Sequence, residues 1–242
     1  MKIAVASGKG GTGKTTISTN LAYVAARKGL RVVYVDCDVE EPNGHLFLQP
    51  EILSSNPVGN WVPQVDENLC AHCGLCGQIC EYSAIVCLGS QVLVFPEMCH
   101  SCGGCWLVCP QGAISQRMKE MGRVETGYAK TVQFVQGILN VGEAMSPPVI
   151  RAVKESIPEA DLIVLDAPPG ASCPVIETIR GSDYVVLVTE PTPFGFNDLK
   201  IAVEMVRALK YPFGVAINRS DLGNSDVRDY CRAHQIPVVA EI

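Results

Sequence analysis

Two cysteine runs, Cys70-x-x-Cys73-x-x-Cys76-x-x-x-Cys80 and Cys99-x-x-Cys102-x-x-Cys105-x-x-x-Cys109-Pro110, take up eight of the chain's twelve cysteines. A C-x-x-C-x-x-C loop wraps a cubane corner by corner, and the fourth thiolate must come from elsewhere. Zinc is the rival for C-x-x-C pairs, but zinc sites rarely use three equally spaced cysteines plus a fourth, twice over. The second run starts 29 residues after the first, so this segment is an internal repeat. The eight thiols are expected to hold two [4Fe–4S] clusters.

The surroundings fit metal ligation better than disulfides. Only five uncharged residues separate Met1-Lys2 from a glycine-rich loop, too few for a secretory signal, so a cytoplasmic location is expected. No apolar run is long enough for a membrane segment. The net charge of −6 argues against nucleic acid as the main partner. From Trp61 to Gln116 there is no Lys or Arg, but there are four acids, Asp66, Glu67, Glu81 and Glu97. With anionic clusters added, such a region favours low reduction potentials and presents an acidic face to a basic partner.

The rest of the chain reads as alternating strands and helices. Lys2–Ala6 is an apolar strand, and a helix follows from about Lys14 to Lys28 with a stripe at Ile17, Leu21, Val24 and Ala25, closed by Gly29. Arg31–Val35 is a second strand. The pattern breaks at about 56–120 and resumes with a helix near Val149–Ser156. Strands at Leu162–Leu165, Tyr184–Val188, Phe213–Ile217 and Val238–Val239 follow, with helices near Asn197–Lys210 and Ser225–Ala233. The expected fold is α/β: a P-loop NTPase with a mostly parallel sheet flanked by helices, residues 1–56 and 121–242, interrupted by a small insert at 57–120.

The loop Gly8-Lys9-Gly10-Gly11-Thr12-Gly13 also satisfies the G-x-G-x-x-G dinucleotide fingerprint, and Asp36 stands where a ribose-binding acid would. Lys14-Thr15 decides between the two. A phosphate loop needs a lysine for the β- and γ-phosphates and a hydroxyl for Mg²⁺ directly after the last glycine; a dinucleotide fold needs neither. Asp166, ending a later strand, supplies the second Mg²⁺ group.

Lys9-Gly10-Gly11-Thr12-Gly13-Lys14-Thr15-Thr16 resembles the deviant Walker A loop of the MinD/Mrp/ParA and nitrogenase-iron-protein class. The resemblance implies ATP as ligand and an ATP-dependent homodimer in which Lys9 reaches the partner's phosphates. It implies that Asp36-Cys37-Asp38 is switch I, with Asp38 orienting the attacking water. Asp166-Ala-Pro-Pro-Gly170 matches Walker B and switch II, and Asn218 matches an adenine-reading asparagine. The cysteine runs resemble a bacterial-type ferredoxin, whose fourth cysteines cross over. That implies one cluster on Cys70, Cys73, Cys76 and Cys109, and another on Cys99, Cys102, Cys105 and Cys80. The whole chain is similar to MinD-superfamily ATPases with an inserted ferredoxin domain. It departs from them at Glu81, where proline is usual, and at Ile242, where the family usually continues into a final helix.

The remaining candidates divide by context. His72 and His100, between the cysteines and read as occupying matching repeat positions, are expected to be surface or supporting residues rather than ligands. Cys37, Cys87 and Cys231 read as small buried hydrophobes. Cys173 follows Asp166 by seven residues, the offset of a cluster cysteine in the nitrogenase iron protein; the competing reading is a small residue opening a helix. The expected function is ATP binding and hydrolysis by Lys9, Lys14 and Asp38, coupled to electron transfer or to docking of a redox or iron–sulfur partner. A cluster carrier and a positioning ATPase are the alternatives.

Overall fold

The computed structural model describes residues 1–242. Strand β1 (Lys2–Ala6) leads through the glycine loop into α1 (Lys14–Arg27), then β2 (Val32–Asp36), α2 (Gly44–Leu48) and the long β3 (Glu51–Val65). A small lobe follows, with α3 (Leu75–Ile79), the hairpin β4 (Ile85–Leu88) and β5 (Gln91–Val94), and α4 (Gly104–Leu107). The chain returns through β6 (Ile114–Ala129), β7 (Val132–Leu139), α5 (Pro147–Glu155), β8 (Leu162–Asp166), α6 (Cys173–Ile179) and β9 (Tyr184–Thr189). It ends with α7 (Pro193–Ala208), β10 (Phe213–Ile217), α8 (Asp226–Ala233) and β11 (Val238–Glu241).

Nine strands form one sheet in the order β11-β10-β9-β1-β8-β2-β7-β6-β3. It is parallel from β11 to β7, and β6 and β3 add an antiparallel edge. The inner strands are near-continuous aliphatic runs because helices cover both faces. Side chains alternate along β2: Val33 and Val35 enter the larger core with α5, α6, α7 and α8, whereas Val32 and Tyr34 enter a smaller one under α1.

The inward face of α1 differs from the expected stripe. Ser18, Thr19, Ala22, Ala25 and Ala26 are buried, and Val24 is exposed. The small residues let the helix lie close on the sheet, where the stacked rings of Tyr34 and Phe134 already fill the space. The expected insert boundaries at 57 and 120 fall inside the paired strands β3 and β6, which run from the sheet to the lobe with register shifts at Ile52/Ser54 and Val58/Gly59. The lobe, residues 66–113, therefore sits at the tip of a hairpin that is itself the sheet edge.

The 29-residue repeat holds in the backbone. Left-handed residues recur as His72 and Ser101, Gly74 and Gly103, and Ser83 and Gly112. The Cys80 sulfur accepts from the Ala84 N–H and the Cys109 sulfur from the Ala113 N–H, each at 3.3 Å. His72 thus pairs with Ser101, not with His100. No helix is long and apolar enough to cross a membrane.

Candidate nucleotide and cysteine sites

Parallel strands deliver their carboxyl ends to one edge of the sheet, and the nucleotide site forms there. Gly13, left-handed at φ +89, turns the chain into α1 so that the helix N-terminus faces the cleft. Gly10, Gly11, Gly13, Lys14, Thr15 and Thr16 line it on one side. Asp38, Glu41, Asn43 and Phe47 close it on a second side, and Pro169, Asn218 and Arg219 on a third.

The other loop residues shape the cleft without lining it. A side chain on Gly8 would strike the Asp198 carbonyl of α7 at 2.2 Å. Thr12 gives its carbonyl to the Asn218 amide at 2.9 Å, and its own buried hydroxyl lacks a partner. Gly170, at φ +99, donates its N–H to the Ser7 carbonyl and ties the segment after β8 to the loop. Lys9 is held within its own chain by Glu190, which also binds Arg219 at 3.3 Å.

Asp36 and Asp166 end adjacent strands in register and are buried. The Asp36 carboxylate accepts the N–H groups of Asp38, Asn43 and Gly44. It therefore shapes the loop that carries Asp38, and it does not itself line the cleft. Burial, reinforced by Asp166, raises its pKa. Burial also raises that of Asp166, against the pull of Lys14 and the hydroxyls of Thr15, Tyr34 and Ser18. Asp38 is pushed up to about 6 by burial, and Lys14 opposes the shift.

Mg²⁺ fits this donor set. Asp166 Oδ1 is buried with no protein partner, and Thr15 lines the adjoining cleft. Hard oxygen donors and retained waters are what Mg²⁺ requires.

The eight repeat cysteines gather around two further cavities. Cys70, Cys73, Cys76 and Cys109 line one, and Cys80, Cys99, Cys102 and Cys105 line the other. His72 borders the first, and the stacked pair Tyr82 and His100 borders the second. No three donors converge where a single ion could sit. Elsewhere, Cys37 and Cys231 are buried, Cys87 is half-buried, and Cys173 is exposed at the first turn of α6.

A family description, the CobQ/CobB/MinD/ParA nucleotide binding domain, matches residues 3–242. The chain belongs to this family. It is a P-loop ATPase with the family's α/β fold. A protein of Methanocaldococcus jannaschii is 31% identical over 93% of this chain and 80% of its own length. An iron-sulfur cluster carrier protein of Pyrococcus furiosus is 24% identical over 88% of this chain and 59% of its own length. Among solved structures, the septum site-determining protein MinD with Mg-ADP from Pyrococcus horikoshii superimposes with a TM-score of 0.57 at 19% identity, covering 100% of this chain and 80% of that one.

Sequence reasoning missed Tyr34, Glu190 and Arg219. Glu190 had a signal: it is an acid directly after a strand that ends at the cleft. Tyr34 had another, as the one hydroxyl-bearing residue in Val32-Val33-Tyr34-Val35.

Proposed function

We propose that this ATPase couples its nucleotide state, as an ATP-dependent homodimer, to a ferredoxin-like insert carrying two [4Fe–4S] clusters. The crossed grouping of thiols carries the cluster reading: each cavity is lined by three cysteines of one run and the fourth of the other. Thiols spread around a cavity suit a cubane, one thiolate per corner, better than a single tetrahedral ion. The clusters supply one-electron chemistry when bound. The proposed insert, 57–120, comprises the lobe and the outer parts of β3 and β6.

In the ATPase body, the amides of Gly10 to Thr15 and the Lys14 ammonium hold the phosphates, and Thr15 and Asp166 hold Mg²⁺ and its waters. Asp38 orients the attacking water. Lys9 leaves Glu190 to reach the partner's phosphates. Asn218 donates one amide hydrogen to Thr12 and accepts from the Arg219 N–H, which leaves its second amide hydrogen for adenine.

Protein made and purified without oxygen should contain about eight irons per chain. Cys80→Ala should lose the same cluster signal as Cys102→Ala, and Cys109→Ala the same as Cys73→Ala. Stoichiometric zinc, or a Cys80→Ala protein that loses the Cys73 cluster instead, would overturn the assignment. The cluster-carrier reading has one observation in its favour, the Pyrococcus furiosus relative's name. ATP-dependent transfer of clusters to an apo-acceptor would decide for it; retained clusters that cycle between redox states would decide against it.

A further inference from the structure

We propose that Tyr34 is a positioning residue for the Mg²⁺ side of the ATPase site. Its hydroxyl fixes Asp166 so that one carboxylate oxygen is committed to the protein and the other is left for the metal shell. Tyr34 is fully buried, and its hydroxyl donates to Asp166 Oδ2 at 2.9 Å. The opposite oxygen, Oδ1, is the one without a protein partner.

Two further observations show how tightly the hydroxyl is placed. The Tyr34 ring stacks on Phe134 of β7, with centroids 5.7 Å apart. On its other side the hydroxyl lies so near Gly44 that a Cβ there would sit 2.3 Å from it. Gly44 is also a donor to Asp36. Asp36 commits its oxygens to the N–H groups of the Asp38–Gly44 loop, and two buried carboxyls side by side repel whenever both are ionised. A neutral donor on Oδ2 answers that repulsion without competing for Oδ1. A second cation there would neutralise the charge that Mg²⁺ needs.

The inference concerns only the ATPase chemistry and stands apart from the clusters. The test measures ADP affinity by calorimetry with and without Mg²⁺ on the intact protein. Tyr34→Phe should leave Mg²⁺-free ADP affinity unchanged and raise the Mg²⁺ concentration for half-maximal enhancement about tenfold, the loss of one hydrogen bond to a charged group. Phe134→Leu, which loosens the same packing but keeps the hydroxyl, should leave that Mg²⁺ concentration within about twofold of the wild type. An unchanged Mg²⁺ requirement in Tyr34→Phe, or an equal shift in Phe134→Leu, would overturn the proposal.

Discussion

Asp38 should cost the empty protein stability in order to be available for hydrolysis, and Asp38→Asn measures that cost. Raising a carboxyl from 3.8 to about 6 corresponds to about 3 kcal/mol lost once the group is ionised. Solvent reaching the half-buried carboxylate trims this to ~1–2 kcal/mol. The sign follows from proton counting. Between pH ~4 and ~6 the folded protein holds a proton that the unfolded chain has released, so wild-type stability falls as pH rises through that window. Asparagine has no such slope. At pH 8, without nucleotide or Mg²⁺, Asp38→Asn should therefore melt about 2–8 °C higher than the wild type, and the gap should close near pH 4. ATP hydrolysis should drop at least about a hundredfold, the scale for losing a group that handles the attacking water. Anaerobic thermal denaturation at several pH values is the assay. A variant less stable than the wild type at pH 8, or a gap that ignores pH, would refute the reasoning.

Three further outcomes follow from the geometry. Gly8→Ala places a methyl group against the Asp198 backbone and should destabilise the fold by ~1–3 kcal/mol in urea titrations, the range for overpacking. Lys119→Met strips the cation from Glu143, a mostly buried carboxylate at 2.9 Å, and from Glu97 at 3.6 Å; it should cost ~1–3 kcal/mol and loosen the lobe, seen as faster amide exchange in residues 95–100. Glu190→Gln removes the charge that holds both Lys9 and Arg219, and with ATP it should shift the monomer–dimer balance toward dimer in light scattering.

The parts of the fold legible in the sequence are those whose signal is local. The strand Leu162–Leu165 reads directly because both faces are buried, and the phosphate loop reads from the adjacency of Gly13, Lys14 and Thr15. The edge strands β3 and β6 were hidden because one face meets solvent and the other only partly packs; Gln116-Arg117-Met118-Lys119-Glu120 carries no apolar run. The inward face of α1 was hidden because it is Ser18, Thr19 and Ala22, residues that propensity and periodicity do not mark as core. The crossed cysteine sets are what the resemblance to bacterial-type ferredoxins implies, whereas the 29-residue repeat is legible in the spacing itself and survives in the backbone. Tyr34 could not be ranked from the chain alone, since its importance depends on Asp166 arriving beside it from a distant strand.

The position of the insert has a mechanical consequence for the proposed coupling. The covalent route from Asp38 to the cysteines runs through α2 and the whole of β3. A much shorter one crosses the sheet. The Val39 carbonyl, one residue past Asp38, accepts the N–H of Leu139 at the end of β7 at 2.8 Å. Gly137 of the same strand has no side chain, and a Cβ there would lie 2.5 Å from Val39. Leu139 pairs with Gly122 of β6, and the Asn140 N–H binds the Met121 carbonyl. Lys119, two residues further along β6, bridges Glu143 after β7 to Glu97 beside the second cysteine run. A γ-phosphate that drew Asp38 inward would pull on Val39, and the first strand to feel it would be β7, followed by β6, one of the two strands that carry the lobe. The segment after Asp38, strand β7 and the β6 half of the lobe's stem thus belong to one hydrogen-bonded unit, the kind of contiguous network through which the cleft and the lobe can be coupled.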